Sequence, residues 1–576
     1  MSSRDRVPVE LASARRIRVA ILVTSLIGTV LIGRLIELQV INGPKLAALA
    51  ESERRTTRVV PATRGTITDV TGDALAVSVK AVDVVADQTL VADPKRTAAI
   101  LAPLLQSDQA IIERRLTGTR RFVYVKRLVS AYTWQRILEA ELPGIFATKA
   151  TRRTYPGRAS AGNILGFTGV DGHGLAGIEF LMDSVLAGQD GIARYERDPA
   201  GHPIPDTMAG TRPPVRGVDV RLTLDRDVQW AAEAELAAAV KRAKADYGTV
   251  VVMDPRTGDI IAQATVPSVN PSAPGKSPSA LRGNRAVSDV YEPGSTSKMM
   301  TMAAVLDSGK ANPRSKFTVP YSMRFGSTVL HDHDNHGVQR LTLNGILAES
   351  SNVGTYLAAK RIGEQKLYDK LKKFGIAEHT GLGLPGESRG LLPHPSQWSI
   401  TSFPTIAYGQ GLSLNAIQAA SAYATIANGG VRVCPRIVAG TVTADGRFTA
   451  RPLGKKTRVV SAKTALQLSN MLESVVRRGT GNAAAVKGYR VAGKTGTASR
   501  FDPKVGGYNG YVASFIGFLP ADAPRLVIAV SIHNPHGQHY GGQIAAPVFA
   551  NVATFAVQHL RIPPSAAPAP RIPLIW

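Results

Sequence analysis

The stretch Tyr291-Glu292-Pro293-Gly294-Ser295-Thr296-Ser297-Lys298 runs directly into Met299, Met300, Met302, Ala303, Ala304, Val305 and Leu306. The second run is apolar on nearly every face, which predicts a buried helix ending near Gly309. Pro293 and Gly294 break the chain just ahead of it and set Ser295 in the first turn. Residues three apart on a helix are neighbours, so Lys298 is expected beside the Ser295 hydroxyl. Unpaired N–H groups of that turn are placed to steady negative charge near Ser295. The helix dipole and burial both disfavour an ammonium at Lys298. A neutral amine next to a hydroxyl is a base beside a nucleophile. The same residues also describe a helix cap with an ordinary lysine, so the surroundings decide.

Outward from that helix, Asp219–Leu224 alternates like a strand and Asp225–Ala245 reads as an alanine-rich helix. Gly248–Asp254 and Ile260–Thr265, joined by a Pro255–Gly258 turn, predict a hairpin. Between 310 and 480 helical patterns dominate, at Leu343–Ala348, Val353–Ile362, Glu364–Phe374, Ala416–Asn428 and Ser461–Arg478. Strands follow at Arg490–Val491, Thr497–Arg500, Ala513–Leu519 and Leu526–His533, then a helix over Ala546–Leu560. This pattern predicts an α+β domain: an antiparallel sheet covered by helices, with a helical subdomain and the Ser295 helix packed against the sheet.

Two short motifs accompany Ser295. In Glu349-Ser350-Ser351-Asn352, the Ser350 hydroxyl can pass protons and the Asn352 amide offers a donor and an acceptor to a peptide. Gly493-Lys494-Thr495-Gly496-Thr497 is placed on a strand, with Gly493 and Gly496 expected to let a second backbone approach its edge. Lys494 offers a cation to a carboxylate and a second positive charge that would depress the Lys298 amine further. Thr495 and Thr497 add hydroxyls and an N–H. Each motif alone is common.

Together and in this order, S-x-x-K, S-x-N and K-T-G resemble the set shared by penicillin-binding proteins and class A β-lactamases. The stretches DPRTGDIIAQA, NRAVSDVYEPGSTSK, SSNVGTYLA, AYGQGLSLNAIQ, GYRVAGKTGTA and YGGQIAAPVF are similar to the transpeptidase domain of class B penicillin-binding proteins. The upstream RGTITD, RRTYPG and GLAGIEF resemble that family's N-terminal pedestal. Ser-Ser-Asn with Lys-Thr-Gly-Thr is closer to the division-specific, FtsI-type branch than to elongation enzymes. Two positions depart from the pattern: Val70 stands for the usual basic residue after Asp69, and Asn415 for a usual threonine.

The resemblance implies a D,D-transpeptidase that cross-links peptidoglycan stem peptides through a serine acyl-enzyme and is trapped by β-lactams. Ser295, Lys298, Ser350, Asn352 and Lys494 are the implied catalytic set; Ser351, Thr495, Gly496 and Thr497 are the implied substrate-binding set. The backbone N–H groups of Ser295 and Thr497 would hold the oxyanion. Neither a cofactor nor a metal is implied. The implied partners are stem peptides ending in D-Ala-D-Ala, a polytopic glycan polymerase and other division proteins. A β-lactamase would need a carboxylate-activated water, and no E-x-x-L-N segment is present. An elongation enzyme, a D,D-carboxypeptidase and a non-catalytic β-lactam sensor share the motifs and stand as alternatives.

Upstream of 216 nothing pairs a nucleophile with a base. Strand-like stretches at Thr57–Val60 and Val77–Ala86, two amphipathic stretches in 95–142 around Phe122–Val125, and dense glycines predict an extended mixed module. Pro203, Pro205, Pro213 and Pro214 mark a joint. Val19–Gly33 is uncharged and apolar, and Ile17, Leu35, Ile36, Leu38 and Val40 lengthen it towards a ~30 Å hydrocarbon core. Arg18 and Arg34 can snorkel, while Glu37 limits the depth of the far end. Arg4, Arg6, Arg15, Arg16 and Arg18 precede the run and only Arg34 and Lys45 follow closely, which predicts a cytoplasmic N-terminus and an uncleaved anchor in the plasma membrane. The expected division is a tail at 1–16, an anchor at 17–42, a pedestal at 43–215, a transpeptidase domain at 216–560 and a Pro-rich end at 561–576.

Bulk properties agree with this reading. The chain has 576 residues, 44% of them hydrophobic, enough for full cores, and the single Cys434 excludes an internal disulfide. The formal charge of +26 is spread along the chain with no nucleic-acid motif, so a basic exterior facing an acidic wall or membrane is expected, and no nucleic acid. His331-Asp332-His333-Asp334-Asn335-His336 and the looser His533, His536 and His539 have metal-type spacing. The simpler reading of the first is a solvated loop.

Overall fold

The computed structural model describes residues 9–196, 212–502 and 505–576. Arg4, Arg6, Pro203 and Pro205 of the reading above lie outside them. The described residues form two compact units: parts of Met1–Ala62 and Gln189–Val215 make one, and Thr63–Gly188 with Arg216–Trp576 the other. In the first, helix Val9–Ile36 continues through a π-helical turn, Glu37–Ile41, into helix Gly43–Arg54. Strand Arg55–Val60 then pairs antiparallel with Gly191–Glu196. Ala14–Ile41 is long and apolar enough to cross a membrane. Glu37 does not stand as an isolated charge at its end: Arg34 Nη1 pairs with its carboxylate at 2.6 Å.

The second unit holds two principal sheets. One runs, edge to edge, through Phe448–Ala450, Val438–Val442, Asp219–Leu222, Ile67–Thr68, Ala74–Ala86 and Val123–Ser130, with Ile145–Thr154 also on Ala74–Ala86. Ile67 and Val220 are register partners in its parallel pair. Segments far apart in sequence thus share one sheet. Their buried faces, Ile67, Leu75, Val220 and Leu222, belong to the same core as Met299, Met302 and Val305 of the serine helix.

The motifs RGTITD, RRTYPG and GLAGIEF meet at one buried charge cluster. Glu179, fully buried, accepts from Arg64 Nε and Arg153 Nε at 2.7 Å each. Arg64 also reaches Asp183 at 2.5 Å, and Arg153 Nη1 donates to Gly65 O at 2.7 Å. Removing one member of a buried ion cluster strands its partners without water. Glu179→Ala is therefore expected to cost about 3–5 kcal/mol, seen as a lower denaturant midpoint for this unit.

The other sheet is wholly antiparallel, ordered Ala492–Asp502, Gly507–Leu519, Leu526–His533, Tyr247–Met253, Ile260–Val266. Both central strands are buried on both faces, which suits their Val/Ile/Ala composition. Helices Arg226–Arg242, N-capped by Asp225, and Ala546–His559 cover one face and share its core. Helices Lys298–Asp307 and Ala416–Ala427 belong to the other core. Asn415 starts the latter with a full capping box to Gln418, so the departure noted at 415 keeps a helix start.

Two features differ from the sequence reading. Between 310 and 342 the chain forms four short strands, Lys316–Val319 with Gln339–Thr342 and Ser322–Phe325 with Thr328–His331, where no strand was expected. Four-residue strands are too short to show a period, and only two of these four alternate in exposure. The Pro-rich end is docked: Leu574 O accepts from Thr342 N–H at 2.8 Å, and Trp576 packs under Lys316 at 4.8 Å and Arg340 at 5.5 Å.

Candidate active site

Ser295 lies in a 3-10 turn, Gly294–Ser297, that leads into helix Lys298–Asp307, and not in the α-helix itself. Gly294, at φ +52°, makes the bend that Pro293 begins. The turn is held from three sides. Gly294 N–H donates to Gly409 O at 3.0 Å, Tyr423 Oη to Thr296 O at 2.8 Å, and Thr301 Oγ1 to Ala407 O at 2.7 Å. The GQG segment and helix Ala416–Ala427 thereby fix the serine.

Lys298 is fully buried. Its Nζ donates to Ser350 O, to Asn352 Oδ1 at 2.7 Å and to Ser350 Oγ at 3.3 Å. No Lys298–Ser295 hydrogen bond forms in this state, and the Ser295 hydroxyl is half-buried. Burial pushes the Lys298 amine down to about 7, and the Asp332 carboxylate pulls it back up. Lys494 Nζ, also fully buried, donates to the same Ser350 Oγ at 2.9 Å and to Thr495 Oγ1 and O at 3.2 Å. Its amine is held well below the usual lysine range, first by burial and then by Lys298. The two amines face the same Ser350 hydroxyl, so a positive charge on either disfavours one on the other, in addition to the burial that lowers both.

Ser350 is thus a junction of two buried amines. Its backbone sits at φ +61°, left-handed for a non-glycine residue, a strain that fixes where its hydroxyl points. Asn352 spends its amide on the protein, accepting from Lys298 and donating to His331 O at 3.1 Å. Ser351, grouped above with substrate-binding residues, is buried and has another part. It donates to Asp332 Oδ2 at 2.7 Å and accepts from Gly354 N–H at 2.8 Å, capping helix Asn352–Lys360.

The acidic partner was misread in the sequence as part of a solvated loop. Asp332 is 4% exposed and accepts from Asn352 N–H at 2.5 Å and Val353 N–H at 2.9 Å, besides Ser351 and His336 Nε2 at 3.1 Å. Among the described residues no three His, Cys, Asp or Glu side chains are arranged to hold a metal. Asp332→Asn removes the charge that raises the Lys298 amine and weakens the cap by about 0.5–2 kcal/mol. The low-pH limb of serine acylation is expected to move to lower pH in this variant. A purely structural aspartate would lower the rate with the limb in place.

Strand Ala492–Asp502, the free edge of its sheet, carries the third motif. Gly496 is packed closely within the protein. A Cβ on it would lie 2.4 Å from Ser514 Oγ, 2.9 Å from Thr296 Cγ2 and 3.1 Å from Pro293 O. Gly493 likewise makes room for the Phe515 ring. Thr495 Oγ1 shares a 2.7 Å hydrogen bond with Thr480 Oγ1, and Thr497 Oγ1 accepts from Gly541 N–H at 3.1 Å. Thr480, Asp332 and Glu292, which accepts from Tyr508 Oη at 3.0 Å and Gly411 N–H at 3.0 Å, were not singled out as site residues from the sequence. The Gly-Thr-Gly at 479–481 was the available signal for the first. All three motifs therefore meet: Lys298 and Lys494 share Ser350 Oγ, and Gly496 packs against the Pro293–Thr296 turn that carries the nucleophile candidate.

A sheet flanked by helices, with a serine at the head of a buried helix, one lysine a turn further along it and a second on the edge strand, is the arrangement of the penicillin-recognising serine acyltransferases. The chain belongs to the penicillin-binding proteins: residues 248–554 match the penicillin binding protein transpeptidase domain and residues 59–222 the penicillin-binding protein dimerisation domain. It is 38% identical to penicillin-binding protein PbpB of Mycobacterium tuberculosis, over 93% of this chain and 84% of that protein. It is 34% identical to peptidoglycan D,D-transpeptidase FtsI of Escherichia coli, over 93% and 90%. Among solved structures, penicillin binding protein 3 of Mycobacterium tuberculosis complexed with aztreonam superimposes with a TM-score of 0.70 at 35% identity, covering 88% of this chain and 98% of that one.

Proposed function

We propose that this chain is a peptidoglycan D,D-transpeptidase of the septal wall, anchored by one helix with its N-terminus in the cytoplasm and its catalytic domain outside. The observation that carries the chemistry is the convergence of Lys298 and Lys494 on Ser350 Oγ, at 3.3 and 2.9 Å, with Lys298 three residues on from Ser295. Lys298, neutral above about pH 7, takes the Ser295 proton as Oγ attacks the penultimate D-Ala carbonyl of a donor stem. The Ser295 and Thr497 N–H groups hold the oxyanion. Its collapse breaks the peptide bond and the departing D-Ala amine takes a proton through Ser350. An acceptor amine then attacks the Ser295 ester, gives up its proton to the same relay and frees Oγ.

Lys494, Thr495 and Thr497 take the donor's terminal carboxylate, with Asn352 holding Lys298 and Ser351 and Gly496 shaping the groove. An entering carboxylate favours an ammonium at Lys494, so this lysine becomes the cation when substrate arrives. In this reading residues 43–215 serve as pedestal to a catalytic domain at 216–560, closed by 561–576. Arg15, Arg16 and Arg18 against Arg34 and Lys45 support the orientation. The naming of the FtsI and PbpB relatives supports a division role, with a polytopic glycan polymerase and other division proteins as partners. The relatives' aztreonam and ampicillin complexes support β-lactams as inhibitors. A product assay tests it. Purified full-length protein given donor and acceptor stems should yield a cross-linked dimer with one free D-Ala per link. Free D-Ala without dimer would make it a carboxypeptidase, and no product at all would remove the enzyme reading.

A further inference from the structure

Of the histidines in the run His331–His336, only His336 turns inward. His331 and His333 are exposed, and His333 pairs with Asp334 in the open, where water screens the pair. The His336 side chain is 14% exposed and that of its partner Asp332 6%. His336 Nδ1 lies 2.5 Å from Gly337 O, and Nε2 lies 3.1 Å from Asp332 Oδ2. Both ring nitrogens thus face oxygens. A neutral imidazole carries one N–H and would set a lone pair against one of the two, whereas the imidazolium donates to both. Three further donors, Ser351 Oγ, Asn352 N–H and Val353 N–H, engage Asp332 and keep the shared proton on the ring rather than on the carboxyl. Enclosure weakens the ring's hold on a proton, but the Gly337 carbonyl, Asp332 and Asp334 outweigh it and the net shift is upward. Among the described residues the titratable groups facing the ring are these two aspartates and, edge-on at 5.7 Å, Tyr321. On the acid side of the acylation limb His336 is therefore a cation.

We propose that His336 is a positioning residue of the acylation step: as an imidazolium it offsets the Asp332 charge and so keeps that carboxylate from holding Lys298 as an ammonium. This rests on the transpeptidase reading, in which neutral Lys298 takes the Ser295 proton. Asp332 has two parts that conflict. Its carboxylate is needed to pin Ser351 and the first N–H groups of helix Asn352–Lys360, which carries Asn352 Oδ1 to the Lys298 amine at 2.7 Å. Yet the same charge raises the proton affinity of Lys298, which opposes its work as a base. The imidazolium separates the two parts: it leaves the carboxylate in place as acceptor and cancels much of its field. His336 makes no hydrogen bond to Lys298, Lys494 or Ser350, so its influence passes through Asp332.

A double-mutant cycle on the full-length protein tests it, with the pH dependence of Ser295 acylation by a chromogenic β-lactam as the readout. His336→Gln keeps a donor towards Asp332 without the charge. Its low-pH limb is expected to move up by about half a pH unit, or about threefold in rate at about pH 6 relative to its own plateau. In the Asp332→Asn background the same substitution should leave the limb where Asp332→Asn alone puts it. A native limb position in His336→Gln, with the whole profile merely scaled down, would make the histidine structural and overturn the proposal. So would a shift of equal size in both backgrounds, since the charge would then act without Asp332. Should His336→Gln fail to fold, His336→Arg decides: it keeps a cation and a donor, so its limb should stay at the native position, and an upward shift contradicts the proposal. A folded native protein that takes no β-lactam on Ser295 would sink the transpeptidase reading instead.

Discussion

Lys298→Gln is expected to slow acylation of Ser295 by about 10²–10⁴-fold while the protein stays folded. The amide is close to the lysine in reach, is uncharged as Lys298 is above about pH 7, and can still donate to Ser350 O. What it lacks is a basic lone pair to take the serine proton. The pH dependence separates this from a packing effect. In the native protein the amine carries a proton below about 7 and cannot act as base, so acylation falls as pH drops through that value and is sustained above it. The variant should keep its small residual rate without that limb. Stopped-flow acylation by a chromogenic β-lactam across pH 5–9 (about two decades on either side of the limb) gives both the loss and the shape. A limb that survives in Lys298→Gln would assign the base elsewhere.

Gly496→Val is expected to cost about 10²-fold in acylation with a far smaller loss of fold stability. Its first added carbon meets Ser514 on one side and the Thr296–Pro293 segment of the serine turn on another, at 2.4 to 3.1 Å. Neither can retreat freely, because Thr296 is tied through Tyr423 and through Pro293 O. The edge strand must move away from Ser295, taking the Thr497 N–H and Lys494 with it. Displacements near 1 Å in such a constellation are enough for a loss of this size. A comparison of acylation rate with thermal midpoint measures it. An unchanged rate would mean that the strand-to-serine spacing does not govern the reaction.

The parts of this molecule written in local patterns were legible without coordinates. Leu526–His533 and Leu343–Ala348 have the bounds that their apolar runs predict, and the serine helix stops within two residues of Gly309. Short-range motifs placed Ser295, Ser350 and Lys494 in one site through the family resemblance; in the structure Lys494 and Lys298, three residues on from Ser295, both donate to Ser350 Oγ. Long-range pairing was not legible. Nothing in Asp219–Leu222 announces that it lies between Ile67–Thr68 and Val438–Val442. The same holds for charges whose meaning depends on a distant partner. Asp332 looks solvated among polar neighbours, and only the fold reveals that four protein groups donate to it. Arg64, Arg153 and Glu179, far apart in sequence, carry no local sign that they meet in the interior. The depth of burial was not legible either: both Lys298 and Lys494 are fully enclosed, and it is desolvation first that lowers each amine.

The account turns on one alcohol being activated by one buried amine. Proteolytic mapping by mass spectrometry of full-length protein treated with a β-lactam tests this most directly. The adduct should sit on the peptide containing Ser295, at stoichiometry close to one, and be absent from Ser295→Ala. An adduct on Ser350 or any other residue, or a folded native protein that takes none, would contradict it.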